Sequence, residues 1–359
     1  MTSSARHTEG MRMMNGLRET GLEITEDGKP GRPLVVLDLD ELHGQSPETV
    51  TATAAAIERA LPLTIGLLRT PLPPHLSPIS AALTLTLTDV PGSELAYQVV
   101  TVPDIDGAIR TLDAAVARSP QAALACGQLL RQTVRLRTTA ALAAEAATYS
   151  MLLGGSEFAT WLAERGPART TDQPAHDLVR SSRTDDHLTI VLDHPQRRNA
   201  LSTRLREELL AAVQVAEADP SIESIEISGT GPAFCSGGDL DEFGRATDPV
   251  AAYLVRLDRA PWNVLDRIAD RLVVRTHGAC IGAGAEMAAF AGTVLAAPDT
   301  YFLFPEVRMG LVPGAGGTVS VPRRIGRWRA AWSMLTGEPL SAEAALRWGL
   351  VDRLTVNGD

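Results

Sequence analysis

The chain has 359 residues, enough for one large domain or two ordinary ones. Hydrophobic residues make up 45% and charged residues 21%, a globular balance that excludes intrinsic disorder. The net charge of −10, with no basic stripe, argues against a nucleic-acid partner, and no apolar run reaches the length of a membrane span.

The start, "MTSSARHTEGMRMMNGLRET", is polar and lacks the apolar centre of a secretory signal, so a cytoplasmic protein is expected. Cys126, Cys235 and Cys280 form no disulfide framework. The seven histidines are scattered, and with the cysteines they show no metal-ligand spacing, so no metal is expected. Lys29 is the only lysine.

In chain order, "PLVVLDL" (33–39) reads as a strand. A helix follows, capped at Ser46 with Pro47 at its first position. "PLTIGLL" (62–68) and "YQVVTV" (97–102) are further strands. From Ser119 to Ala163 the text is helical, and Ser119-Pro120 is a second N-cap signature. The polar stretch 165–186 reads as a linker. "HLTIVLDHP" then opens a second run: a helix over 202–218, an alternating strand at 222–229 and the loop "TGPAFCSGGDLDEF". One long amphipathic helix is expected near 248–270, then the strand "LVVRTHG". "TVLAAP" and "YFLFPE" are short strands, "PGAGG" is a loop, and helices near 327–336 and 341–348 close the run. This alternation predicts an α/β fold.

Three stretches carry chemistry. In "THGACIGAGAEMAAFAG" (276–292) a strand, a glycine turn and a helix start present unpaired N–H groups, and Glu286 is a lone acid among small residues. Small residues admit a substrate carbonyl to the main chain, where an oxyanion would be stabilised. Taken alone, the stretch also fits a close helix–strand contact with Glu286 exposed. A dinucleotide fingerprint fails because Met287 stands where its third glycine belongs, and a phosphate loop fails at "PGAGGT" because no lysine follows. "AFCSGGDL" (233–240) is a second glycine loop, able to supply the Ser236 N–H. "FPEVRMGLVPGAGGT" (304–318) presents a second lone acid, Glu306. Two isolated carboxylates beside two amide donors suit divided general acid and general base work. "VVLDLDEL" (35–42) has the strand-then-Asp-x-Asp look of a phosphotransferase with Asp38 as nucleophile. That chemistry needs a later lysine, so Asp38 and Asp40 are expected to end a strand.

Residues 183–354 resemble the crotonase (enoyl-CoA hydratase/isomerase) superfamily in five motifs in order: "LDHPQRRNALS", "FCSGGDL", "HGACIGAGAEMA", "FPEVRMGLVPGAGGT" and "TGEPLSAEAALRWGLVDRL". The resemblance implies a ββα spiral and a hydro-lyase acting on an acyl-CoA, with no separate cofactor. It places the oxyanion hole at the amides of Ser236 and Ala283 and the catalytic acids at Glu286 and Glu306. It places coenzyme-A contacts at Arg197, Arg198, Ala200, Ser236, Gly237, Gly238 and Asp239. Arg197 and Arg198 also fit a solvated face, and Asp239 a helix N-cap. Enoyl-CoA isomerisation and a non-catalytic subunit remain alternatives, and a homo-oligomer (trimer, hexamer or dimer) is implied.

Two departures stand out. Ala283 replaces a common glycine. After "GLVDRL" only "TVNGD" follows, where the family continues into helices that cover the acyl pocket. Residues 117–169 look like that missing tail. The expected organisation is therefore a degenerate crotonase-like α/β region with a helical tail (1–169), a linker (170–186) and a catalytic domain (187–359), with the tail packing on the catalytic half.

Overall fold

Two mainly parallel sheets are laid down in succession along the chain. The computed structural model describes residues 21–93, 97–169 and 174–355, so the polar first twenty residues and part of the expected linker lie outside the described residues. In the first half β1 (Leu34–Asp38), β2 (Leu63–Leu68), β3 (Leu85–Thr88) and β4 (Val99–Thr101) pair in chain order, all parallel. β2 and β3 are almost wholly buried, as parallel strands covered on both faces must be. Helix α1 (Pro47–Arg59) starts where expected: the Ser46 side chain accepts from the Thr49 amide, and Pro47 occupies the first turn. Asp38 ends β1 and Asp40 opens the short 3₁₀ turn that follows; both accept from Arg69, so they serve a strand-to-loop turn.

The helices α2 (Ser77–Ala82) and α3 (Ile105–Arg118) precede a helical layer of α4 (Pro120–Thr133), α5 (Thr138–Leu153) and α6 (Ser156–Arg165). Ser119 makes no side-chain cap for α4. Glu157 of α6 does so instead, accepting from the amides of Gln121 (2.8 Å) and Ala122 (3.0 Å).

The expected linker contains a strand. β5 (Val179–Thr184) folds back antiparallel on β6 (His187–Leu192) through a turn at Asp185, which has φ +53°. After Val179 every residue of β5 is exposed, so this polar edge strand carries no apolar alternation to read. Helix α7 (Thr203–Ala218), capped by Ser202, leads to β7 (Ser224–Gly229). The single helix expected over 248–270 is two, α8 (Pro249–Asp258) and α9 (Trp262–Arg267). Pro261 stands between them, and a proline lacks the N–H that would continue the helical ladder.

From there the chain alternates between two sheets: β8 (Leu272–Thr276), β9 (Ala279–Ile281), α10 (Ala283–Ala288), β10 (Thr293–Ala296) and β11 (Tyr301–Leu303). Next come α11 (Gly317–Thr336), β12 (Leu340–Ser341), α12 (Ala342–Trp348) and β13 (Arg353–Leu354). Helix α11 begins ten residues before the expected 327 and breaks at Gly326, whose φ is +76°. The large sheet runs β13-β10-β8-β7-β6-β5 and the small one β12-β11-β9. The order β6-β7-β8-β10, parallel with a helix after the first strand, repeats the arrangement of β1 to β4.

The helical layer and the second half share one apolar core, which contains Leu142, Tyr149 and Phe158 together with Phe290, Val307 and Leu311. Phe158, Trp161 and Phe243 pack as an aromatic trio across the two halves. The backbone of Phe158 lies so close to Gly310 that a Cβ there would sit 2.5 Å from its nitrogen. Residues 183–359 produced alone should therefore expose an apolar face larger than a soluble monomer tolerates, and aggregate. Supplying residues 1–169 in trans should restore solubility; a monodisperse isolated second half in size-exclusion chromatography would contradict this packing. In the full chain, Phe158→Ala should cost about 3–5 kcal/mol in a urea melt.

Candidate functional site

Each turn of the spiral lays one strand in the large sheet and one short segment beside it. Ile227, Val274 and Val294 are neighbours across β7, β8 and β10. Cys235, Cys280 and Phe302 are neighbours in the parallel layer alongside. The three loops leaving that layer, after Cys235, Ile281 and Leu303, therefore emerge side by side. They are the three glycine- and acid-bearing stretches of the sequence.

Close approach explains the small residues. Gly282 has φ +47°, and a Cβ on it would meet the Glu306 carboxylate at 2.3 Å. Glu286 follows on α10, and Glu306 opens a short 3₁₀ turn over Glu306–Met309. Both carboxylates are buried, at 1% and 8% exposure, so neither is a solvated surface acid. Both line one cavity of about 610 Å³, together with Ala283, Gly238 and Asp239. That volume suits a small-molecule ligand.

The two acids differ in their surroundings. Glu286 Oε2 accepts from the amides of Ala315 (2.7 Å) and Gly317 (2.8 Å). Glu306 Oε2 is buried with no hydrogen-bond partner. Burial pushes the Glu306 carboxyl up to about 8. Burial, then the charges of Glu306 and Glu145, raise Glu286 well above the usual carboxylate range, against the two amides that favour its anion.

The amides are less symmetrical than the sequence suggests. The Ala283 N–H, first in α10, has no acceptor among the described residues. The Ser236 N–H donates to the Arg198 carbonyl at 3.0 Å, and Ser236 is not on the cavity wall. A substrate oxygen at Ser236 would have to displace that carbonyl.

Of the expected coenzyme-A contacts, Gly238 and Asp239 line the cavity, while Arg197, Arg198, Ala200 and Gly237 do not. Arg197 is not a solvated charge: it bridges Asp239 and Asp241. Asp239 accepts from the Asp241 amide within a turn, and no helix starts there. Arg198 is exposed with left-handed φ, Ala200 is buried, and the Leu201 amide ties this loop to the Gly237 carbonyl.

Sequence reasoning expected the helical tail to pack on the catalytic half but named none of its residues, nor any of α7 or α8, as part of the site. Tyr149 and Leu153 of α5 line the cavity, as do Arg206 of α7 and Arg256 of α8. The Arg256 guanidinium lies 3.6 Å over the Tyr149 ring, and its Nη1 donates to the Gly314 carbonyl. One turn before Tyr149, Glu145 is 2% exposed and pushed up to about 7 by burial. A signal existed: Glu145 is the only charged residue in α5.

Comparison with known proteins bears on residues 185–358, which match the family model described as enoyl-CoA hydratase/isomerase. A Streptococcus mutans trans-2-decenoyl-[acyl-carrier-protein] isomerase is 36% identical over 167 residues, covering 45% of this chain and 64% of the relative. A 2,3-dehydroadipyl-CoA hydratase of Escherichia coli is 34% identical over 170 residues, covering 47% and 66%. A Bacillus subtilis protein provisionally named an enoyl-CoA hydratase/isomerase, YngF, is 31% identical over 177 residues, covering 49% and 68%. The chain spans about two thirds or less of the length of most such relatives.

The Glu306 carboxyl has a stability consequence with a definite sign. Its folded value lies near 8 against an ordinary 4.5, so its contribution is full below about pH 4.5 and is lost as pH rises through 8. Glu145 acts in the same direction toward its value near 7. Urea melts should show stability falling between pH 5 and pH 8, and Glu306→Gln should make that decline shallower by at least about 1 kcal/mol. An unchanged slope would mean that Glu306 is ionised in the folded protein throughout.

Proposed function

The chain belongs to the enoyl-CoA hydratase/isomerase family, and from that premise we propose that it adds water across the α,β double bond of an acyl-CoA. The observation that carries this reading is the pair of buried carboxylates on one cavity wall with opposite hydrogen-bonding environments. A single acid suffices to shuttle a proton in an isomerisation, whereas hydration uses a base for water and an acid for carbon.

Glu286 acts as the base in its ionised form, which the two amides favour and which burial and the neighbouring carboxylates make available only once pH exceeds its raised pKa. It takes a proton from water as the water oxygen bonds to the β carbon. The electron pair of the double bond moves to the α carbon and the thioester oxygen, giving an enolate. The free Ala283 N–H donates to that oxygen, and the Ser236 N–H joins only on releasing Arg198. Glu306, a cavity-lining residue that is neutral near pH 7 and has no hydrogen-bond partner at Oε2, delivers its proton to the α carbon. Return of one proton from Glu286 to Glu306 restores the starting state. Coenzyme A belongs to the substrate, and Gly238 and Asp239 are its first contacts. The proposal extends to the first half: its four-stranded sheet is a degenerate copy of the core, without a paired inner layer among its described residues. Its helices serve as the cover of the catalytic half, and assembly into a homo-oligomer belongs to the same reading.

Loss of the conjugated thioester absorbance of crotonyl-CoA tests the reaction. Glu286→Gln and Glu306→Gln should each lower kcat by at least ~10²-fold, the usual contribution of a general acid or base. If either glutamine variant keeps near-full hydratase activity, that acid is not catalytic here, and isomerisation of a 3-enoyl-CoA lost only in Glu306→Gln would put the isomerase reading in place of this one.

A further inference from the structure

Four consecutive amides, those of residues 315 to 318, are shared alternately between two buried carboxylates. Ala315 and Gly317 donate to Glu286 Oε2, at 2.7 and 2.8 Å. Gly316 donates to Glu145 Oε1 at 2.7 Å, and Thr318 to Glu145 Oε2 at 2.9 Å. The Thr318 hydroxyl adds a third bond to Glu145, at 2.6 Å. Helix α11 starts here, and its N-cap, Gly316, brings no capping side chain. Glu145, which lies 171 residues earlier in sequence than Gly316, is that cap.

The segment has little freedom to settle elsewhere. A Cβ on Gly317 would lie 2.5 Å from Glu286 Cγ, and one on Gly316 would lie 2.4 Å from the Phe290 ring. Behind the turn, the Thr133 hydroxyl holds the Thr318 carbonyl, and the Ser320 hydroxyl holds the Glu286 carbonyl. Glu145 itself is absent from the cavity wall, so it does not touch what binds there.

We infer that Glu145 is a positioning residue of the catalytic site: it holds the 315–318 turn in the arrangement in which alternate amides grip the Glu286 carboxylate. The first half of the chain thereby supplies part of the catalytic machinery in cis. The inference rests on the base role proposed for Glu286. Electrostatics follow the same geometry, because the Glu145 anion disfavours a second anion on Glu286. The other ionisable groups facing this cluster are Glu306, Tyr149 and Arg256, with Cys235 and Cys126 behind them.

The test is Glu145→Gln in the full chain, with Thr318→Val as the milder variant should the first fail to fold. The glutamine keeps the shape but turns an N–H toward an amide donor, and the anion is gone. Plateau kcat on crotonyl-CoA should fall about tenfold with KM within about twofold, since a displaced catalytic group costs rate rather than affinity. A residue serving only folding would reduce the folded fraction and leave the kcat of the folded protein in place. A second readout does not depend on turnover: the ¹H–¹⁵N amide resonances of Ala315 and Gly317, whose protons lie downfield while they donate to the Glu286 carboxylate. Both should move upfield in Glu145→Gln, and in the same direction by less in Thr318→Val, as the turn releases that carboxylate. If they move while the wild-type protein does not hydrate crotonyl-CoA, the hydratase reading fails and the positioning role stands. If they do not move, the positioning role is overturned whatever the activity.

Discussion

Carboxylates taken out of water must find hydrogen-bond donors or give up their charge, and the candidate site is built around that constraint. The start of α11 offers a row of N–H groups with no partners inside the helix, at its electropositive end. Two acids from elements far apart in sequence take alternate members of the row. Glu306 receives no such help at Oε2 and stays neutral by desolvation. One donor-rich and one donor-poor environment thus set apart two chemically identical side chains, the asymmetry on which the proposed division into base and acid rests.

The spiral makes this possible by stacking three short segments so that their exits coincide. The stacking is tight enough to exclude side chains. A Cβ on Gly284 would lie 2.7 Å from the Cys235 carbonyl oxygen, and one on Gly282 would strike Glu306. Small residues here are a condition of close approach between main chain and carboxylate, and Ala283 meets it as a helical residue with a free N–H.

The first half matters for a related reason. Its helices complete the apolar core, and α5 carries Glu145 and Tyr149 one turn apart on the face that meets the site. Tyr149 also supports Arg256, which holds the loop at Gly314. Packing and site geometry are therefore coupled: loosening α5 would disturb the capped turn that grips Glu286. Among the described residues no helix is long and apolar enough to cross a membrane.

Much of this was legible in the residues. Strands β1, β2 and β6, the capped helix at Ser46, the helix from Ser202 and both lone acids follow from local pattern, because periodicity, caps and glycine turns are short-range signals. Elements without such a signal were not: the polar edge strand β5 has no apolar alternation, and the break at Pro261 was hidden inside an amphipathic run. The engagement of the Ser236 amide by Arg198 could be settled only by the register of two loops. Glu145 shows the boundary most clearly. Its sequence context, one acid in an alanine- and leucine-rich helix, matches that of Glu286, so a buried and specific role was readable in principle. Which amides it would meet depended on α5 docking against a turn more than 170 residues away. Local composition determines that an acid will be costly to bury; only the folded chain decides which donors meet that cost.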